Sequence, residues 1–197
     1  MIKLSVVITN YNKVKWLPRL LKTLQKQKND DVEYIIIDDA STDNSQFLLN
    51  NLDKDTFKVI YHTKNTGIGL TRQEGFNISK GKYLVYIDGD DNVAENYITT
   101  LLSYTNQNYD ILEFAYQFYP NGKIQTEREY TFIWNKMIKK EFIIKNNIKF
   151  EDVIMEEDGL FIKEINKRNP IYKIIDNSVL YYYNTLSISL TRPIGHC

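Results

Sequence analysis

Two groups of carboxylates stand out by their spacing. Asp88-Gly89-Asp90-Asp91 directly follows the apolar run Tyr83–Ile87, and Asp38-Asp39 directly follows Tyr34–Ile37. Asn10-Tyr11-Asn12 comes just after the apolar run Lys3–Thr9, and the glycine loop Asn65-Thr66-Gly67-Ile68-Gly69 lies shortly after Phe57–Tyr61. If these runs are parallel strands, their carboxyl ends form the edge where an open sheet binds ligands. Asp38, Asp39, Asp88, Asp90 and Asp91 would then converge there, repel one another and raise one another's pKa. A hard divalent cation such as Mg²⁺ or Mn²⁺ relieves that repulsion, and Mg²⁺ usually sits between one or two carboxylates and a substrate's phosphates. The grouping points to a metal–diphosphate site. Each piece also has a plainer reading: Asp and Asn at strand ends make turns, and Asp38-Asp39-Ala40-Ser41 can lead into a helix cap. The glycine loop lacks the full GxGxxG pattern, and the chain has no GxxxxGK[ST] string, which removes the P-loop reading.

The intervening segments supply the elements that must position these residues. Trp16, Leu17, Leu20, Leu21 and Leu24 recur at helical spacing, with Asn12 a candidate cap. Phe47, Leu48, Leu49 and Leu52 suggest a short helix, Leu70–Ser79 another, and Glu95–Tyr104 a further one. Strands alternating with helices across short loops predict an α/β fold with a mainly parallel sheet covered on both faces. The pattern changes near Asp110. Ile111–Tyr119 and the polar Lys123–Glu129 flank a Pro120-Asn121-Gly122 turn as a hairpin, Trp134–Asn147 turns into a short helix, and Glu156–Arg168 is helical. Ile171–Ile175 and Val179–Tyr183 read as two closing strands. The expected organisation is one domain over 1–197, with a ligand-binding half, 1–109, and a smaller half, 110–197.

The whole-chain numbers narrow the class. A chain of 197 residues can bury a full core without staples. Its 25 basic and 25 acidic side chains leave no net charge, which argues against binding nucleic acid mainly through phosphates. The single cysteine, Cys197, excludes an internal disulfide framework. No apolar run reaches the length of a membrane span and no signal-peptide pattern opens the chain, so a cytoplasmic protein is expected.

Taken in order, the motifs resemble family 2 glycosyltransferases of the GT-A fold. The resemblance is carried by SVVITNYNK (Ser5–Lys13), YIIIDDASTDNS (Tyr34–Ser45), NTGIGLTRQEGFNISKGKYLVYIDGDD (Asn65–Asp91) and EEDGLF (Glu156–Phe161). WNKMIKKEFI (Trp134–Ile143) and YYYNTLSIS (Tyr181–Ser189) resemble segments of bacterial capsule and cell-wall members. The resemblance implies a metal-dependent, inverting transfer of a sugar from a nucleotide-sugar, expected to be a UDP-sugar, to a hydroxyl on a glycan or surface-polysaccharide precursor. By similarity Thr9 and Tyr11 contact the nucleoside, Asp39 accepts a hydrogen bond from the base, and Arg72 reaches the nucleotide. Asp88 and Asp90 form the DxD motif, with Asp90 on the Mn²⁺ or Mg²⁺ ion and Asp88 on the ribose or the metal's water shell. Asp158, in the Glu157-Asp158 pair, is the implied base. The family often has Pro where Thr9 stands and Asn where Gln73 follows Arg72. The implied setting is cytoplasmic, with a peripheral position at the inner face of a membrane allowed. The length suggests a minimal catalytic unit without an anchor or separate acceptor domain.

Structural readings stay open beside these. Glu156, Glu157 and Asp158 open a helix that ends in Lys167-Arg168, so each could simply complement the helix dipole. Trp134 could line an acceptor site or anchor the second half. His62 has no partner at metal-ligand spacing and reads as structural. Lys136, Lys139, Lys140, Lys145 and Lys149 could face an anionic lipid or glycan but read first as a solvated face, and Asn77-Ile78-Ser79 as a chance glycosylation sequon. Two rival functions share the fold. A sugar nucleotidyltransferase normally has a glycine-rich, arginine-containing loop after the first strand, which Asn10–Lys15 does not resemble. A non-catalytic nucleotide-sugar-binding module or subunit would bind donor without turnover.

Overall fold

The computed structural model describes residues 1–126, 131–153 and 155–187. The first half builds as the sequence pattern predicts: β1 (Leu4–Asn10), α1 (Leu17–Gln25), β2 (Val32–Asp38), α2 (Ser45–Asn50), β3 (Phe57–Tyr61), α3 (Ile68–Ile78), β4 (Tyr83–Asp88), β5 (Asn92–Val93) and α4 (Tyr97–Tyr104). The second half adds β6 (Ile111–Tyr119), β7 (Ile124–Gln125), β8 (Lys136–Lys139), α5 (Lys140–Lys145), α6 (Glu157–Asn166) and β9 (Tyr172–Asn184). The main sheet order is β3-β2-β1-β4-β8-β6-β9-β5, with β7 paired to β6. β3, β2, β1 and β4 run parallel, whereas β8 pairs antiparallel with both β4 and β6.

The strands alternate between two cores. Leu4, Val6 and Ile8 of β1, Tyr34 and Ile36 of β2, and Val85 and Ile87 of β4 face one cluster with Leu17, Leu20 and Leu24 of α1 and Ile98 and Leu101 of α4. Val7, Ile35, Ile37, Leu84 and Tyr86 point the other way, onto Ile143 of α5 and Phe161, Ile162 and Ile165 of α6. A period of two puts successive side chains on opposite faces, and two buried faces require nearly continuous apolar runs. β1 therefore connects to β2 on one side while β4 flanks it on the other, and the order reverses at β1. That reversal opens a crevice at the strand carboxyl ends.

The structure departs from the sequence pattern at several places. Asn12 does not cap α1. It sits at φ 54, and its side-chain oxygen accepts hydrogen bonds from the Thr42 and Asp43 N–H groups, while Trp16 is the cap position. The stretch after Trp134 forms β8 before its helix, because Met137 and Ile138 are buried against β4 and β6. The two closing strands are one, β9, whose pairing with β6 absorbs register shifts around Ala115. The return strand of the hairpin is the short β7; the rest of that expectation falls at 127–130, outside the described residues. Lys136 is fully buried, its ammonium donating to the Phe132 carbonyl and Asn135 Oδ1, so it is not part of a solvated face. Trp134 is buried too, stacked on Phe132 and Tyr181, and anchors the second half.

α3 lies tight against β1 at Gly75, where a Cβ would come within 2.4 Å of Val7 Cγ1. Gly75→Ala sets a helix-propensity gain of about 1 kcal/mol against an overpacking cost of about 1–3 kcal/mol. The steric term wins because Val7 is enclosed on every side. A net destabilisation of about 1–2 kcal/mol is expected in urea unfolding, and a stabilised variant would contradict this packing.

Candidate active site

Parallel register brings the predicted residues to one edge: Thr9 pairs with Asp88 and Asn10 with Asp38 across the β1 neighbours. The five carboxylates there are not equivalent. Asp38 is fully buried and accepts hydrogen bonds from Asn10 Nδ2 at 2.7 Å and the Ser41 N–H at 3.0 Å. Asp91 is likewise enclosed, accepting from the Tyr181 hydroxyl at 2.6 Å and the Asn184 N–H at 2.7 Å. Burial first, then the Asp90 and Asp88 charges, push the Asp91 pKa well above the carboxylate range. These two shape the turns, and protein donors satisfy them where the sequence suggested a shared cation. Asp88 and Asp90 keep partly exposed side chains at this edge, whereas Asp39 is buried against the glycine loop.

Thr9 is buried and its hydroxyl donates to Asp88 Oδ1 at 3.0 Å. Tyr11, two residues on and just past the end of β1, is 45% exposed. Asp39 lies against the glycine loop: Oδ1 accepts from the Thr66 N–H at 2.8 Å and Oδ2 from the Gly67 N–H at 2.9 Å. Gly67 holds φ 88, a left-handed backbone that glycine adopts without a Cβ penalty.

The residue that joins the site is Arg72 of α3, which is buried. Its Nη2 donates to Asp88 Oδ1 at 2.9 Å, and its Nη1 donates to Glu157 Oε1 at 2.7 Å and to Asp158 Oδ1. The Ile133 N–H contacts Asp158 Oδ2 at 3.3 Å. Glu156 precedes α6 in a left-handed conformation, φ 68, which turns Glu157 and Asp158 inward towards Arg72. One guanidinium thus spans the β4 edge and the start of α6, residues far apart in the chain. Burial first, then the Glu157 and Asp88 charges, raise the Asp158 pKa to about 7 against the opposing pull of Arg72 and the Ile133 N–H. A carboxyl tuned to that range can take up a proton near neutral pH.

Asp90 pairs with Lys13, whose ammonium lies 2.7 Å from Asp90 Oδ2 and 3.0 Å from Ser187 Oγ. Among the described residues no group of three His, Cys, Asp or Glu side chains could hold a metal by itself. Asp88 and Asp90 nonetheless supply hard oxygen donors at a partly open edge. That set suits a cation whose remaining ligands come from a substrate's phosphates and water. Lys13, His62, Tyr181 and Asn184 were not assigned to the site from sequence. Their partners lie 77, 23, 90 and 93 positions away, so no local spacing reveals them. His62, read from sequence as structural, lies between Asp39 and Glu74.

Comparison with known proteins places this geometry in context. The chain is 27% identical over 215 aligned residues to a cholesterol galactosyltransferase of Borreliella burgdorferi, covering 92% of this chain and 59% of that protein. It is 29% identical over 110 residues to a GalNAc(5)-diNAcBac-PP-undecaprenol beta-1,3-glucosyltransferase of Campylobacter jejuni, covering 54% of this chain and 36% of that protein. Among solved structures, S. aureus TarS in complex with UDP-GlcNAc superposes with a TM-score of 0.85 at 21% identity, covering 95% of this chain and 60% of that one. A mannosyltransferase of Pyrobaculum calidifontis, solved with GDP-Man and Mn²⁺, gives 0.71 at 13% identity, covering 90% of this chain and 56% of that one. The chain therefore spans about half to three-fifths of the length of several relatives it matches. The expected GT-A architecture is the one observed. The family model for glycosyl transferase family 2 matches residues 5–163, from the first strand through most of the helix that carries Asp158, and the chain belongs to that family.

Proposed function

We propose that this chain catalyses an inverting sugar transfer from a UDP-sugar to an acceptor hydroxyl on a glycan or surface-polysaccharide precursor, with a divalent cation at Asp88 and Asp90. The carrying observation is the Arg72 bridge, which holds Asp88 and Asp158 around one guanidinium. It supports reading Asp158 as a proton acceptor beside an edge suited to a diphosphate. Asp158 as carboxylate takes the proton of the acceptor hydroxyl while that oxygen bonds to the anomeric carbon. The bond from that carbon to the diphosphate oxygen breaks, and the nucleoside diphosphate departs on the opposite side. Attack from one face by one base inverts the anomeric configuration. A Mn²⁺ or Mg²⁺ ion held by Asp90, with Asp88 beside it, would supply charge neutralisation on the leaving group. Tyr11 offers a stacking face and Asp39 a hydrogen-bond acceptor for the base.

The UDP-GlcNAc in the TarS structure supports a UDP-sugar donor, and the Mn²⁺ in the mannosyltransferase structure, bound there with GDP-Man, supports the divalent cation. No helix among the described residues is long and apolar enough to cross a membrane.

The test is a panel of nucleotide-sugars with and without Mn²⁺, read as thermal shift and as UDP release. A UDP-sugar is expected to give metal-dependent stabilisation and turnover with an acceptor. Asp90→Ala should weaken metal-dependent UDP binding about tenfold or more in calorimetry. Unchanged affinity in that variant would remove Asp90 from the metal, and pyrophosphate release from UTP plus a sugar phosphate would favour the nucleotidyltransferase.

A further inference from the structure

Asp39 is nearly enclosed at the end of β2, and most of its surroundings come from residues 62–67 after β3. The His62 ring lies between two carboxylates, Nδ1 at 2.7 Å from Asp39 Oδ1 and Nε2 at 2.7 Å from Glu74 Oε2 of α3. Each ring nitrogen is within hydrogen-bond distance of a carboxylate oxygen, so a doubly protonated ring can donate to both and its orientation is set from both sides. Burial opposes that charge, but the hydrogen bonds and charges of Asp39 and Glu74 outweigh it and raise the His62 pKa. On Asp39, Oδ1 is crowded by His62, the Thr66 N–H at 2.8 Å and the Thr66 hydroxyl at 3.0 Å. Among the described residues, Oδ2 receives the Gly67 N–H, at 2.9 Å, and no second donor. A carboxylate oxygen has two lone pairs, so Oδ2 keeps one for a ligand.

We propose that His62, seated by Glu74, is a positioning residue that fixes Asp39 so that the remaining lone pair of Oδ2 selects a base with an imide N–H, as uracil has, over cytosine. This rests on the reading of Asp39 as the nucleobase carboxylate. Uracil presents a donor at N3 and cytosine an acceptor at the same place, so a fixed acceptor rewards the first and repels the second. Without His62, the Asp39 carboxylate loses its counter-charge and the contact that holds Oδ1 away from the base.

Calorimetry of the full chain with UDP and with CDP, at fixed MnCl₂, tests this in Asp39→Asn, His62→Ala, His62→Gln and Glu74→Ala. The unsubstituted chain should prefer UDP. His62→Ala should weaken UDP about tenfold with little change for CDP, so the preference collapses. His62→Gln retains a donor towards Asp39 and should keep part of the preference, and Glu74→Ala should lose part of it. A merely structural histidine would weaken both nucleotides together and leave their ratio intact, which would overturn the inference. A preference lost in Asp39→Asn but kept in both His62 variants would overturn it while leaving the Asp39 reading standing. A preference unchanged in Asp39→Asn would remove that reading and the inference with it.

Discussion

Asp158→Asn is expected to lower turnover by about 10²–10⁴-fold, or about 2.7–5.4 kcal/mol of transition-state stabilisation, while UDP and metal still bind. The reasoning starts from the acceptor hydroxyl, which cannot form the new bond unless its proton has somewhere to go. Asn keeps the size of the side chain and an acceptor for the Ile133 N–H, but it cannot take up the proton. The substitution therefore separates catalysis from the helix-dipole alternative, in which Asp158 would contribute to stability alone. The pH dependence makes the same point. A base must be ionised to act, so kcat/KM for the unsubstituted chain should be low in acid, rise through about pH 7, where burial and neighbouring carboxylates place the Asp158 pKa, and level off above it. That limb should vanish from the residual activity of Asp158→Asn. Wild-type turnover in the variant would take Asp158 out of the role.

Arg72→Ala should be strongly destabilising. Arg72 is the shared counter-charge of Asp88, Glu157 and Asp158, and it is 1% exposed. Removing one partner of a buried ionic group strands the others, at a cost of about 3–5 kcal/mol. Arg72 pulls the Asp158 pKa down, so its loss should move the pH limb of any remaining activity above 7. The instability should be greatest where the three carboxylates are ionised and shrink as acid protonates them. Urea unfolding at two pH values reads both effects. A loss below about 1 kcal/mol at neutral pH would mean that the bridge is energetically minor.

Much of the fold was legible because two-sided burial writes itself into local sequence. β1 to β4 are short apolar runs ended by polar turns, and the alternation Leu4-Val6-Ile8 against Val7 is the core pattern itself. The second half was harder to read. β8 holds two lysines in four residues, and one of them, Lys136, is buried by partners that no periodicity predicts. β9 stays one strand across Asp176-Asn177-Ser178, which read as a break, because β6 supplies pairing on either side of the shift.

The sequence by itself determined the βαβ alternation, the placement of acids at strand ends and the membership of a family, since each is a matter of residue order. Only the tertiary structure decided how those acids divide. Asp38 and Asp91 are satisfied by protein donors, Asp39 is clamped through His62, and Asp88 and Asp158 share Arg72. The physical reason is that a carboxylate's role depends on what neutralises it and how much water it keeps. Apart from Ser41, three positions from Asp38, those neighbours come from elements brought together across 16 to 93 positions of chain.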